Sequence, residues 1–470
     1  MEFLSVIKKN VLEYPDCTAV VCKSKILTYS QLGKSITVCR QKLLRRGVNV
    51  GDKVILFSDR CETYIIYLLA LWEMGCIVIP LGINIPNERL QAVIEECEPQ
   101  ALVVIQNDNV TVKYYEDNAR DESLLDCAYI LFTSGSSGKP KGAVISRHAL
   151  DVFVRDSLEA TQYSALKYKS VLATASFSFD MHLIEVLFAL VNHQSLILAA
   201  ENEVSNPRKI AKLIRENNVD VIVATPSKMA WLIQANKRQV DFLHNVKCFF
   251  FGGESLPEEL VKMVSSMSGA YVFNAYGPTE ATVFVTVGLI REGQAVDLGK
   301  PLRNVRILIM DEHMRELNVG EKGEICLQGD QIGRGYYNND EASRRSFVEF
   351  CGKRMYKTGD YGWIAPFSGK LMFTGRKDRQ IKLHGNRIEL DEIEKRLKQH
   401  EHIRDAIVIH DRERDQIIAY YQSNCNVSKD DIAEFLRMTL PEYMVPTMLI
   451  EKENFIMTES GKTDRNKGGN

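Results

Sequence analysis

An α/β fold, with a large N-terminal domain of two βαβ-type subdomains and a β-rich one, followed by a small mobile α+β domain, is what this sequence predicts. Three observations carry that expectation. Helical and strand patterns alternate from residue 30 to residue 274. A turn rich in glycine, serine and lysine at 133–142 follows directly on a short apolar strand, Tyr129 to Phe132. The pattern then changes to short strands with Asp/Asn/Gly turns over 299–335, and near Gly375 to Asp378 it gives way to a shorter, polar-flanked α+β pattern. At 470 residues the chain also exceeds what one ordinary core organises.

Taken in order, residues 30–46 put Leu32, Ile36, Leu43 and Leu44 on one helical face and stop at Gly47. Strands are expected at 54–57, 77–80 and 101–105, with a buried helix at 62–74 and a capped helix at 87–97. After the glycine-rich turn the rhythm resumes. It predicts strands at 171–175, 195–199, 220–224, 247–251 and 270–274, and helices at 181–191, 208–217, 227–234 and 258–266. In the last segment Asp391 is expected to cap a helix reaching His400. Residues 403–410 and 417–422 read as a hairpin about a charged turn at 412–415, and Ser428-x-x-Asp431 as a capping box. The domains are therefore expected at 1–377 and 378–470, with a hinge near their join.

The turn at 133–142 has the chemistry of a nucleotide-phosphate loop. Gly135, Gly138 and Gly142 permit close backbone approach, Thr133, Ser134, Ser136 and Ser137 add donors, and Lys139 and Lys141 add positive charge. Only two residues separate Gly135 from Gly138, so it is not a Walker A loop. A net charge of −2 gives no electrostatic footprint for nucleic acid or an anionic membrane. The eleven cysteines form no Cys-x-x-Cys pair, which points to reduced thiols in a cytoplasm. The N-terminus lacks the order of a signal peptide, and the apolar run 64–72 is too short to span a bilayer.

Further motifs succeed the loop: Phe179-Asp180, Asn274-Ala-Tyr-Gly-Pro-Thr-Glu280, Gly323-Glu-Ile-Cys-Leu-Gln-Gly329, Tyr356-Lys-Thr-Gly-Asp360, Gly375-Arg-Lys-Asp378, Arg387-Ile-Glu-Leu-Asp-Glu-Ile-Glu394, Leu440-Pro-Glu-Tyr-Met-Val-Pro446 and Gly461-Lys462. Together with Leu27-Thr-Tyr-Ser-Gln-Leu32 they resemble, in one order over nearly the whole chain, the amino-acid adenylation domains of nonribosomal peptide synthetases and their stand-alone relatives, the D-alanine–carrier-protein ligases. These belong to the adenylate-forming acyl-CoA synthetase–luciferase superfamily.

The resemblance implies attack of an amino-acid carboxylate on the α-phosphate of ATP with Mg2+, then transfer of the aminoacyl group to the phosphopantetheine thiol of a carrier protein. Both reactants of the first step are anions, so the site must neutralise charge. Residues 133–142 would hold the β- and γ-phosphates, with Thr133 also catalytic, and Glu280 would be the magnesium-associated carboxylate. Tyr276 offers a ring face to adenine, Asp360 accepts the ribose hydroxyls, and Arg376 lies near them. Gly253, Glu254, Asn274, Ala275, Gly277 and Thr279 complete the nucleotide side. Lys462 matches the catalytic lysine, brought in by the small domain to bridge carboxylate and phosphate. Asp378 matches the hinge about which that domain turns for the thiol step.

For the amino acid, the resemblance assigns Asp180 to the α-ammonium. A carboxylate buried without a cation would be costly, so it calls for a charged amine. Met181, Ile184, Val223, Phe250, Gly252, Ala275, Val283 and Phe284 are the other pocket positions. None is charged, which suits a small or medium apolar side chain. His182 is expected to pack. The close alternatives are a stand-alone D-alanine–carrier-protein ligase and, further off, an acyl- or aryl-CoA ligase, which should not need Asp180. No carrier segment lies within the chain, so the carrier acts in trans or belongs to a longer synthetase.

Overall fold

Runs of β-branched and aromatic residues bounded by capped helices build three sheets around the larger part of this chain, in a computed structural model that describes residues 1–135, 140–238, 240–411, 414–425, 427–452 and 455. The chain divides into two units. One comprises Met1–Ile83, Cys97–Leu131 and Gly142–Lys377, the other Asn84–Glu96, Phe132–Lys141 and Asp378–Asn470.

The first unit holds a nine-stranded sheet whose middle strands are parallel, in the order Thr18–Cys22, Ser195–Leu198, Ser170–Ala173, Val221–Ala224, Cys248–Gly252 and Tyr271–Tyr276. Both margins are antiparallel, with Lys25–Thr28 at one end and Thr286–Ile290 and Lys300–Pro301 at the other. Ser170–Ala173, Val221–Ala224 and Cys248–Gly252 are buried throughout and read as nearly continuous apolar runs because helices cover both faces. Residues of the second sheet include the parallel strands Ile77–Gly82, Lys53–Ser58 and Ala101–Gln106 and the antiparallel edge Asn109–Tyr114.

The helix Glu62–Glu73 shows why these layers hold. Tyr64, Ile65, Leu68, Leu69, Leu71 and Trp72 are all buried, and the Trp72 indole N–H donates to Ala128 O at 2.9 Å. Burial of each such side chain contributes about 1.5–3 kcal/mol. The motif at 27–32 is a helix start. Thr28 accepts from the Gln31 N–H, and the Gln31 carbonyl accepts from the Thr28 N–H.

A third, antiparallel sheet orders Val305–Met310, Gly323–Gly329, Lys353–Ile364 and Phe347–Phe350, with Leu371–Arg376 also on the long strand. The β-rich region therefore runs well past residue 335. Several elements escaped the periodicity, among them the helices Glu2–Glu13 and Arg147–Ala160 and the strands Thr18–Cys22, Asn109–Tyr114 and Thr286–Ile290.

In the second unit, the hairpin of Gln380–Leu383 and Asn386–Glu389 precedes the helix Leu390–Leu397. A sheet of Ile403–Asp411, Gln416–Ser423 and Met448–Glu451 packs with the helix Lys429–Thr439 about Ile388, Ile393, Leu397, Val408, Ile432 and Leu436. Ser428 caps that last helix through the Asp431 N–H. Two expectations need correction here. Asp391 is not the cap of its helix: Glu389 occupies that position, and Asp391 sits in the first turn, bonded to the Arg379 guanidinium. The helix also ends at Leu397 rather than His400. An acid within a first turn gains from the helix dipole without capping, and periodicity does not separate the two.

Of the eleven cysteines eight are buried, three exposed and none paired in a disulfide. No helix among the described residues is long and apolar enough to cross a membrane.

Candidate functional site

The ends of three adjacent parallel strands bring the apolar candidates into register. Val223 pairs with Phe250, Phe250 with Phe273, and Gly252 with Ala275. Ligands in parallel sheets gather at such carboxyl ends. Phe250 stacks on Phe273 with ring centroids 4.8 Å apart and meets Phe188 edge-on. Gly252 leaves little room, since a Cβ there would lie 3.2 Å from Ala275 O. Around Gly253, the nearest groups to a built Cβ are Thr225, the Phe179 ring and the Met181 sulfur. That places the strand end beside the start of the helix Met181–Val191. Glu254 accepts from the Ser227 N–H at 3.0 Å and its hydroxyl at 2.9 Å.

Asp180 stands at the N-cap position of that helix yet makes no side-chain cap bond, and it is 3% exposed. Met181 and Ile184, on the first turn, are equally buried. Burial, and then the Asp180 carboxylate, hold the Tyr129 phenol well above its usual value. Tyr129 is therefore a neighbour of Asp180 that sequence reasoning missed. Strand alternation marks it only as one more buried aromatic.

A second cluster gathers around Asp360. The Tyr276 hydroxyl donates to Asp360 Oδ2 at 2.6 Å, and Arg376 pairs with Oδ1. Asp360 and Arg376 are register partners on neighbouring antiparallel strands, and the Asp360 N–H donates to the Thr358 hydroxyl at 3.0 Å. Burial and the Asp360 charge push the Tyr276 phenol well up, so it stays a proton donor. Asn274 donates to Asp297 O at 2.8 Å.

The turn after Tyr276 carries the next candidate. Glu280 is fully buried and accepts from the Tyr336 hydroxyl at 2.7 Å, while its carbonyl accepts from the Gly333 N–H. Tyr336 too lay outside the sequence-based candidates, in a stretch with no motif. Thr282 and Val283 both have positive φ, +60° and +68°. For a β-branched residue this stores about 1–3 kcal/mol. Gln331 holds the strained turn by accepting from the Thr282 hydroxyl at 2.7 Å and donating to Phe284 O at 3.1 Å. Gly277 is required by close approach, because a Cβ there would lie 2.4 Å from the Phe284 Cα and 2.8 Å from the Val285 N. Backbone cannot yield as a side chain does. Gly277→Ala is expected to lower stability by about 2 kcal/mol or more, measurable as a fall in the denaturant midpoint.

In the second unit, Thr133 donates to Lys141 O at 3.4 Å and Ser134 to Arg387 O at 2.8 Å. The Gly135 N–H donates to Glu392 Oε2 at 3.2 Å, and Glu392 also pairs with Arg89. Asp378 accepts from the Gln380 N–H at 3.3 Å. Ser136, Ser137, Gly138, Lys139 and Lys462 lie outside the described residues.

A family model described as AMP-binding enzyme matches residues 7–337. Bacitracin synthase 1 of Bacillus licheniformis is 31% identical over 97% of this chain and 9% of its own length. The chain thus spans a small part of the length of the curated relatives it matches. AB3403, a four-domain nonribosomal peptide synthetase bound to AMP and glycine, has 28% identity and a TM-score of 0.71, covering 99% of this chain and 36% of that one. NpsA-ThdA, an artificially fused adenylation-PCP di-domain from Klebsiella oxytoca, shares the fold with a TM-score of 0.82 at 21% identity, covering 95% of this chain and 93% of that one. With the family model matching well over half its residues, this chain belongs to the AMP-binding enzyme family.

Proposed function

We propose that this chain activates an amino acid of small or medium apolar side chain as its aminoacyl-adenylate and passes it to the phosphopantetheine thiol of a carrier protein. In the first step a carboxylate oxygen bonds to the α-phosphorus of ATP and the bond to pyrophosphate breaks. In the second the thiol attacks the acyl carbon, AMP leaves, and the thiol proton is released. The observation that carries the amino-acid reading is Asp180: a carboxylate only 3% exposed, at the start of the helix Met181–Val191, is the chemistry that would receive a substrate ammonium.

Asp360 and Arg376 are assigned to the ribose, Tyr276 to the adenine side, and Thr133, Ser134, Gly135, Ser136, Ser137, Gly138, Lys139 and Lys141 to the phosphates. Gly253, Glu254, Asn274, Ala275, Gly277 and Thr279 shape the nucleotide wall. Val223, Phe250, Gly252, Val283 and Phe284 bound the side-chain pocket, and their lack of charge supports an apolar tenant. Glu280 is a hard oxygen donor that fits Mg2+, an ion that would neutralise phosphate charge. No cluster of three or more His, Cys, Asp or Glu occurs among the described residues. That suits an ion carried mainly by phosphate oxygens and water. Lys462 is assigned to the developing charge between carboxylate and phosphate, and Asp378 to the hinge between domains 1–377 and 378–470. Eleven cysteines with no disulfide among them support a reducing, cytoplasmic setting.

The test is pyrophosphate release with ATP and magnesium across L- and D-amino acids, fatty acids and aryl acids, with hydroxylamine trapping the adenylate. Release driven by one or a few apolar amino acids is expected. Release only with acids lacking an amine would overturn the assignment of Asp180. Lys462→Ala is expected to reduce adenylate formation at least 100-fold, the size of one lost electrostatic contact in the transition state, with ATP binding largely kept. Equal loss of both would remove its assigned role.

A further inference from the structure

Residues 174–180 run from the strand Ser170–Ala173 to the helix Met181–Val191, and their main chain is held by side chains from three other places in the fold. Glu185, one turn into the helix, accepts from the Thr174 N–H at 2.8 Å and the Ala175 N–H at 3.0 Å. Arg60, beyond the strand Lys53–Ser58, donates to Ala173 O at 2.8 Å, to Ala199 O at 2.7 Å and to Ala175 O. Lys228, on the helix Pro226–Ala235, donates to Thr174 O at 2.8 Å.

The same guanidinium lies 5.0 Å from the Phe177 ring centroid, and that ring stacks on Tyr64. His182 completes the arrangement. Its Nδ1 is 2.6 Å from Phe179 O and its Nε2 is 3.0 Å from the Tyr64 hydroxyl. A carbonyl only accepts, so Nδ1 carries the proton and Nε2 accepts from Tyr64. Burial lowers the imidazole to about 4, which keeps it neutral.

This is a costly way to tie down a loop. Arg60 is 4% exposed and Glu185 1% exposed. Burial raises the Glu185 carboxyl against the nearby Arg60 charge, while burial and the Arg60 charge together lower the Lys228 ammonium against Glu185. Apolar packing would hold a loop without that desolvation. What buried charges add is a unique path for the backbone, because each such hydrogen bond ties its carbonyl or amide to a group fixed in one place. The last residue on that path is Asp180.

We propose that Arg60, Glu185 and Lys228 are positioning residues for amino-acid recognition, fixing residues 173–180 so that the Asp180 carboxylate meets the substrate ammonium. This rests on the reading of Asp180 above. None of the three touches substrate.

Lys228→Met keeps the volume of the side chain and removes its charge and donor. It is expected to raise the KM for the amino acid about tenfold, the worth of one hydrogen bond from a charged donor, while kcat and the KM for ATP stay within about twofold. Lys228→Arg is expected to recover most of the loss. An unchanged amino-acid KM, or equal rises for both substrates, would overturn the proposal.

Amide hydrogen exchange of Glu185→Gln and Lys228→Met, without any substrate, reads the clamp separately. Faster exchange confined to 173–182 is expected. Exchange at the wild-type rate would sink the positioning role whatever the substrate proves to be. If the wild-type protein releases pyrophosphate with no amino acid, the reading of Asp180 fails, and the exchange experiment still decides whether these three residues hold the segment.

Discussion

Asp360→Ala is expected to lower kcat/KM for ATP in adenylate formation by about 100-fold to 10,000-fold. The proposed contacts to two ribose hydroxyls are charge-assisted hydrogen bonds worth about 1.5–3 kcal/mol each. Their loss alone accounts for that range. The substitution also removes the acceptor of the buried Tyr276 hydroxyl and the counter-charge of the partly buried Arg376. Stripping one partner from a buried ion pair costs about 3–5 kcal/mol of stability, so the denaturant midpoint is expected to fall as well. Asp360→Asn separates the two effects. Its amide oxygen still accepts one hydrogen bond from Tyr276 or Arg376, so the fold is expected to survive while the affinity for ATP drops. A folded Asp360→Asn protein with the wild-type KM for ATP would take Asp360 out of the nucleotide site.

Asp180→Ala is expected to have the second large effect, on the amino acid alone. Removing the carboxylate from a buried pair with the substrate ammonium costs about 2–5 kcal/mol of binding, or roughly 30-fold to several thousandfold in kcat/KM. The des-amino analogue of the same substrate carries no ammonium to lose its partner, so its turnover is expected to hold. The decisive quantity is the ratio of the two substrates in pyrophosphate release. A ratio unchanged from wild type would remove Asp180 from recognition.

Local structure was largely legible in the residues. The helix Glu62–Glu73 and the parallel strands announce themselves as long apolar runs, and Ser428 marks a helix start by side-chain chemistry. Where that reading failed, the local signal was incomplete: an acid such as Asp391 suits a first turn as well as a cap, and the edge strand Asn109–Tyr114 alternates polar with apolar residues but fully buries none of them. Residue types of the site were legible too, because Asp180, Glu280 and Asp360 sit within recognisable motifs.

Their partners were not. Tyr336 meets Glu280 across 56 residues, Asp360 meets Tyr276 across 84, and Arg60 reaches Ala173 across 113. Order of motifs, helix and strand periods and the chemistry of single residues are properties of neighbouring positions, so the chain carries them in plain view. Which carboxylate meets which hydroxyl, and which cations tie down the approach to Asp180, depends on the order of strands in the sheets and on where the crossover helices leave each end. Those contacts form only when burial of the apolar faces brings distant segments together, and no short window of sequence contains the information that selects them.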